Sequence, residues 1–140
     1  MRAAGVDFGK VRVGLAVADE LGLMAHPRPY LDGRDAARVV HQLADLAQAE
    51  GIGVFVVGLP RELDGREGVS ARRARKFASR LAERTSARVV LLDERLTTRE
   101  ASGRLRAQGL DSRAQRERID SAAAAVLLQS WLDTRPRAAR

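Results

Sequence analysis

No cysteine occurs among the 140 residues. That excludes disulfides and thiolate metal sites, and it fits a reducing cytoplasm, the expected location. No apolar run approaches the ~20 residues that span a bilayer, so no membrane partner is expected. The opening MRAAGVDFG enters a strand pattern at once, which leaves no room for a signal peptide. Aromatic residues make up only 4% of the chain, too few for rows of stacking platforms along a single strand of nucleic acid. The two histidines, His26 and His41, have no partner at ligand spacing and read as structural or surface residues. Repeats and low-complexity segments are also absent, so residues 1–134 read as one domain followed by a short basic tail, 135–140.

Positive charge is abundant. The net charge is +7 and the isoelectric point about 11.2, carried almost wholly by arginine, since Lys10 and Lys76 are the only lysines. A GC-rich codon usage would favour arginine and alanine in any case. A polyanionic partner is nevertheless the natural reading, because neutralising phosphates releases counterions.

Local patterns give the order β-β-β-α-β-α-β-α-α. Residues 3–9 and 12–18 read as two strands joined by a tight turn, and 23–30 as a weaker third that Pro27 and Pro29 push to a sheet edge. A helix over 35–50 repeats apolar residues at helical spacing and stops at Gly51. VFVVG, 54–58, and RVVLLD, 88–93, read as parallel strands buried on both faces. Ser70 is positioned to cap a helix over 71–84. Thr97 and Glu100 have capping-box spacing for another that ends near Gly109. A last helix runs from about Arg113 to Leu132. An antiparallel meander followed by βαβ units implies one mixed sheet with helices on its faces. Right-handed crossovers place strands 54–58 and 88–93 beside the first strand, with ligands at the carboxyl ends of the parallel strands.

Acids gather at that end. Asp7 lies near the end of the first strand, on the face of Gly5 and Gly9 and opposite Val6 and Phe8. Asp93 and Glu94 lie at the end of the last strand, pointing to opposite faces, so one of them joins Asp7. Asp120 precedes four alanines in the last helix, where small residues permit a close approach to the sheet. Each acid also has a plain structural reading as a satisfied strand acid, a turn or a surface residue. Together, however, half-buried carboxylates must protonate, separate or bind a cation. Oxygen donors without cysteine or clustered histidine favour Mg²⁺ or Mn²⁺. Two such ions bridged by an aspartate activate a water and stabilise the leaving oxygen in phosphodiester hydrolysis.

GVDFGKVRVGLAVAD, VVGLPRELDGREG, LLDERLTT and IDSAAAAVLLQSWL together resemble the YqgF/RuvX family. Its members are described as Holliday-junction resolvases and pre-16S rRNA nucleases of the RNase H-like superfamily. The four blocks run from residue 5 to 132, nearly the whole chain. The resemblance implies an α/β, RNase H-like mixed five-stranded sheet with helices on both faces. It also implies a nuclease that processes the 5′ end of pre-16S rRNA, resolves branched DNA, or both, working as a monomer or homodimer. The family's metal-binding acids fall on Asp7, Glu94 and Asp120, with Asp93 as a fourth candidate. Where the family carries a hydroxyl residue and a basic pair after DxG, this chain has Lys10, Val11 and Arg12.

Lys10, Arg12, Arg61, Arg66, Arg95, Thr97 and Thr98 are then the candidate nucleic-acid contacts. Arg61 and Arg66 belong to the loop GLPRELDGREG, 58–68, which reads either as a substrate loop or as a plain solvent connection. Two rival readings remain: a catalytically silent RNA-binding module of ribosome assembly, and an actin-like ATP-binding domain, whose relatives need a second such domain that 140 residues do not supply.

Overall fold

A computed structural model describes residues 2–107 and 121–135. The elements are β1 (Arg2–Phe8), β2 (Arg12–Ala18), β3 (Ala25–Asp32), α1 (Ala36–Glu50), β4 (Ile52–Leu59), α2 (Val69–Arg84), β5 (Arg88–Asp93), a 3₁₀ turn (Glu94–Leu96), α3 (Arg99–Ala107) and α4 (Ala122–Thr134). The expected helix stop at Gly109, residues 113–120 with Asp120, and most of the tail lie outside the described residues; the last helix, expected from about Arg113, begins at Ala122 after its N-cap Ser121. No described helix is long and apolar enough to cross a membrane.

The five strands form one sheet in the order β3-β2-β1-β4-β5. β1, β2 and β3 are antiparallel neighbours, while β4 runs parallel to β1 and β5 parallel to β4. The proline-bearing strand is an edge, as its missing N–H donors require. Of the two later strands only β4 pairs with β1; β5 sits one place further out, so the expectation that both flank β1 holds for the first alone.

β1, β2 and β4 are largely buried on both faces, which is why β4 reads as an unbroken apolar run; β5, expected to be buried in the same way, is an edge strand with Arg88 exposed and its other residues only half-buried. Alternate residues feed two layers. Val6, Val17, Phe55 and Val57 pack with Val39, Leu43, Phe77 and Leu81 of α1 and α2. Ala16, Val54 and Val56 pack with Ala124, Leu127 and Leu128 of α4. Gly5 allows α4 to lie directly on β1: a Cβ there would stand 2.8 Å from the Ala124 carbonyl oxygen and 2.8 Å from Leu128 Cβ. Polar side chains fix the register of that helix. Leu15 N–H donates to Ser121 Oγ (3.0 Å), where the pairing of β2 with β3 shifts. Gln129, fully buried, accepts from Ala25 N–H (2.9 Å) and donates to the Leu23 carbonyl (2.9 Å).

Two caps differ from expectation. Ser70 does not cap α2. The helix starts at Val69 after Gly68, because the preceding loop closes on itself through Glu62 N–H to the Arg66 carbonyl and delivers the chain two residues early. The α3 cap is Thr98 rather than Thr97: Thr98 Oγ1 accepts from Ala101 N–H (3.0 Å), whereas Thr97 Oγ1 donates to the Glu94 carbonyl (2.9 Å) and closes the 3₁₀ turn. α1 behaves as read, with Asp35 accepting from Arg38 N–H and Gly51 in the left-handed conformation at its end.

Candidate active site

The carboxyl ends of β1, β4 and β5 lie side by side. Asp7 stands near the end of β1, opposite Gly14 of β2. On its other side, Val6 pairs with Val57 in parallel register, so Gly58 comes level with Asp7. Gly58 in turn pairs with Leu92. With no side chain at 58, the space between β1 and β5 on the α4 face is open, and Glu94 fills it. A Cβ on Gly58 would lie 3.1 Å from Glu94 Cγ, 3.2 Å from its Cδ and 3.3 Å from Leu127 Cδ2. Gly58 therefore makes room for Glu94 in the candidate site. A glycine inside an otherwise apolar strand run was the signal for it.

Electrostatics report the same convergence. Burial raises the Asp7 pKa above the ordinary aspartate value. Glu94 is raised first by burial and then by the negative charges of Asp7 and Asp93. Among the described residues neither Asp7 nor Glu94 forms an ion pair with an arginine or lysine. Two half-buried carboxylates facing one another without a cation are unfavourable as they stand. Their all-oxygen donor set suits a hard divalent ion, which fits Mg²⁺ or Mn²⁺. No group of three metal-ligating side chains occurs among the described residues. Asp120, the third candidate, lies outside them, next to Ser121, which is bonded to Leu15.

Asp93 faces the other way. Its carboxylate accepts from Arg95 N–H (2.9 Å), Arg95 Nε (3.1 Å) and Arg95 NH2 (2.7 Å) and lies 3.4 Å from Arg61 Nε. The Arg95 contacts first, with a further contribution from Arg61, lower its pKa to about 2. Of the two adjacent acids, Glu94 shares the α4 face with Asp7, and Asp93 is held by arginines on the side of the 60–68 loop.

The candidate nucleic-acid contacts divide in the same way. Lys10 is exposed on the β1–β2 turn, three residues after Asp7. That turn is closed by Gly9 N–H to the Arg12 carbonyl, and a Cβ on Gly9 would lie 2.5 Å from that oxygen, so the close approach at Gly9 is made by backbone. The Arg12 guanidinium lies over the Tyr30 ring at 5.2 Å. Arg66 extends into solvent with 81% of its side chain exposed, next to Asp64 (2.6 Å). Arg61 and Arg95 are both engaged with Asp93. The two threonine hydroxyls serve the turn and the α3 cap, and Thr98 N–H donates to Ser130 Oγ (3.2 Å).

Comparison with known proteins places this geometry. The family model described as RuvX, Holliday junction resolvase, matches residues 1–134. The chain belongs to that family. A protein from Anaeromyxobacter sp. (strain K) named "Putative pre-16S rRNA nuclease" is 49% identical over 135 residues, which cover 96% of this chain and 98% of that one. A protein of the same name from Mycolicibacterium paratuberculosis is 43% identical over 140 residues, covering 99% and 84%. Among solved structures, Thermus thermophilus RuvC superposes with a TM-score of 0.62 at 15% identity, covering 96% of this chain and 98% of that one. The fowlpox virus Holliday junction resolvase gives 0.55 at 14% identity, covering 96% and 100%. These two likenesses show the fold: the RuvX-family chain has the RuvC-like, RNase H-type sheet that its sequence resembles.

Proposed function

We propose that this RuvX-family chain is a metal-dependent nuclease acting on structured nucleic acid, with pre-16S rRNA and branched DNA as the candidate substrates. The observation that carries the reading is the convergence of Asp7 and Glu94 across Gly58 at the carboxyl ends of parallel strands. The names borne by the relatives and the basic charge of the chain support it. They do not favour the silent RNA-binding module or the ATP-binding domain.

Asp7 and Glu94 would hold Mg²⁺ or Mn²⁺, and Asp120 is proposed as the third ligand. A bound divalent ion supplies Lewis-acid charge and a water made nucleophilic near neutral pH, and in pairs such ions favour in-line displacement at phosphorus. The chain's own part is orientation. β1 and β5 hold the two carboxylates on a rigid sheet, α4 shields them from one side, and burial strengthens their attraction for a cation. Lys10, on the turn after β1, and Arg66, on the 60–68 loop, are exposed cations able to meet phosphates. Arg66 is available despite Asp64, because an exposed ion pair contributes little and exchanges readily.

The test is cleavage of a pre-16S rRNA 5′ segment and of a four-way DNA junction, each with Mg²⁺, with Mn²⁺ and with EDTA. Cleavage of at least one substrate that needs the metal and stops in EDTA is expected. Undiminished cleavage in chelator would sink the metal reading. Tight binding of RNA with no cleavage under any metal would favour the silent module.

A further inference from the structure

Arg61 was expected to face phosphate, yet its guanidinium is turned into the protein. NH1 donates to the Gly65 carbonyl (3.2 Å), NH2 lies 3.4 Å from Glu67 Oε2, and Nε lies 3.4 Å from Asp93 Oδ2. The Nε group is buried without a hydrogen-bond acceptor, so this arginine is held by charge and placement rather than by ideal bonding. A group kept at that cost calls for a reason.

Its partners are anchored from the far side. Glu67 is gripped by Arg75 of α2 through two contacts of 2.6 Å. Asp93 is gripped by Arg95, whose NH1 lies 3.4 Å from the position of a Cβ on Gly65. The result is an alternating chain of charges, Arg75–Glu67–Arg61–Asp93–Arg95, that runs from α2 through the 60–68 loop to the end of β5. Side chains of successive strand residues take opposite faces. Leu91 packs towards α2, and Asp93, two residues on, shares that side. Holding Asp93 there leaves Glu94 on the α4 face, where Gly58 makes room for it.

We propose that Arg61 is a positioning residue: by tying the 60–68 loop to Asp93 at the end of β5, it keeps Glu94, and not Asp93, turned towards Asp7. The inference rests on the metal-nuclease reading. It also assigns the phosphate-facing role in this loop to Arg66. The opposing possibility, that Arg61 contacts phosphate directly, makes different demands on salt and on metal.

The experiment compares Arg61→Ala, Arg61→Lys and Arg66→Ala with the parent in three assays. Mn²⁺ binding is measured by calorimetry, cleavage by kcat and KM, and nucleic-acid binding in EDTA across a salt series. Loss of a group that orients a metal ligand typically costs ~10–100-fold in metal affinity or activity. Arg61→Ala is therefore expected to weaken Mn²⁺ binding and lower kcat about tenfold or more, with KM and the salt slope unchanged. Arg61→Lys recovers part of both losses by supplying one cation to Asp93. Arg66→Ala should instead leave Mn²⁺ affinity alone and reduce the log–log salt slope by ~0.7–0.9. The proposal is overturned if Arg61→Ala shows that reduced slope with normal Mn²⁺ affinity. It is equally overturned if the variant merely melts earlier while its folded fraction binds Mn²⁺ and cuts as the parent does. A parent that binds Mn²⁺ but cuts nothing would defeat the nuclease reading, while the Mn²⁺ comparison would still decide the role of Arg61.

Discussion

Replacing Gly58 by alanine adds a single methyl group at the place where Glu94 crosses towards Asp7. That methyl would sit 3.1 and 3.2 Å from Glu94 Cγ and Cδ and 3.3 Å from Leu127 Cδ2, a few tenths of an ångström inside ordinary contact. Leu127 is a buried core residue and resists displacement. Glu94 is a flexible chain on a 3₁₀ turn and moves more easily. The stability terms oppose each other. Burying a methyl contributes about 0.8 kcal/mol, and removing glycine's unfolded-state freedom about 0.4–1. Overpacking costs about 1–3 kcal/mol. The net runs from a gain of about 0.8 to a loss of about 1.8 kcal/mol, leaving a folded protein. The carboxylate, however, is pushed off its position. Misplacement by about 1 Å can cost ~10²-fold, so a shift of a few tenths of an ångström in a metal-holding carboxylate should lower Mn²⁺-dependent cleavage by ~3–10-fold. The assay is initial cleavage rate per folded molecule, beside urea melts of the same preparation. Gly5→Ala is the control. Its methyl would meet the Ala124 carbonyl and Leu128 Cβ at 2.8 Å, so α4 itself must shift, and stability should fall more than for Gly58→Ala. If folded Gly58→Ala cuts at the parental rate, Gly58 is not what admits Glu94 to the site, and the reasoning fails.

Three further outcomes are expected. Asp7→Asn should abolish most cleavage, by about 10³-fold, while the melting temperature in EDTA stays equal or rises, since burial already disfavours the charged carboxylate; a clear drop in melting temperature would instead mark Asp7 as scaffold. Ser121→Ala removes the acceptor of the Leu15 N–H and leaves a buried donor unpaired, which should cost ~1–3 kcal/mol in a urea melt. Asp32, lowered to about 2 by its hydrogen bonds to Arg34, stabilises the fold above the ordinary aspartate range and loses that contribution as pH falls towards 2; the stability gap between parent and Asp32→Asn should therefore narrow between pH 4 and pH 2 and be constant above pH 5.

Much of the architecture is a local property of the chain. Period-two and helical patterns place the described strands and helices to within a few residues, apart from the start of α4, expected near Arg113 and found at Ala122; the prolines mark β3 as an edge, and Gly51 ends α1, because each of these signals acts through backbone conformation or the alternation of a single element. The acids at Asp7 and Glu94 were visible for the same reason: a charge near the end of an apolar strand stands out whatever surrounds it. What the local pattern does not contain is the contact between elements. The start of α2 at Val69 depends on how the 60–68 loop closes, and the cap at Thr98 on a turn that takes up the neighbouring hydroxyl of Thr97. The place of β5, one strand beyond β4, comes from packing of the crossover helix α2. Most consequential, the sequence by itself left open which of Asp93 and Glu94 joins Asp7 and offered Arg61 as a phosphate contact. Only the tertiary structure brought Arg61 against Asp93, beside its local partner Arg95, and set Gly58 beside Glu94, because the direction of a charged side chain at a strand end is decided in part by the partners and the space that distant segments bring to it.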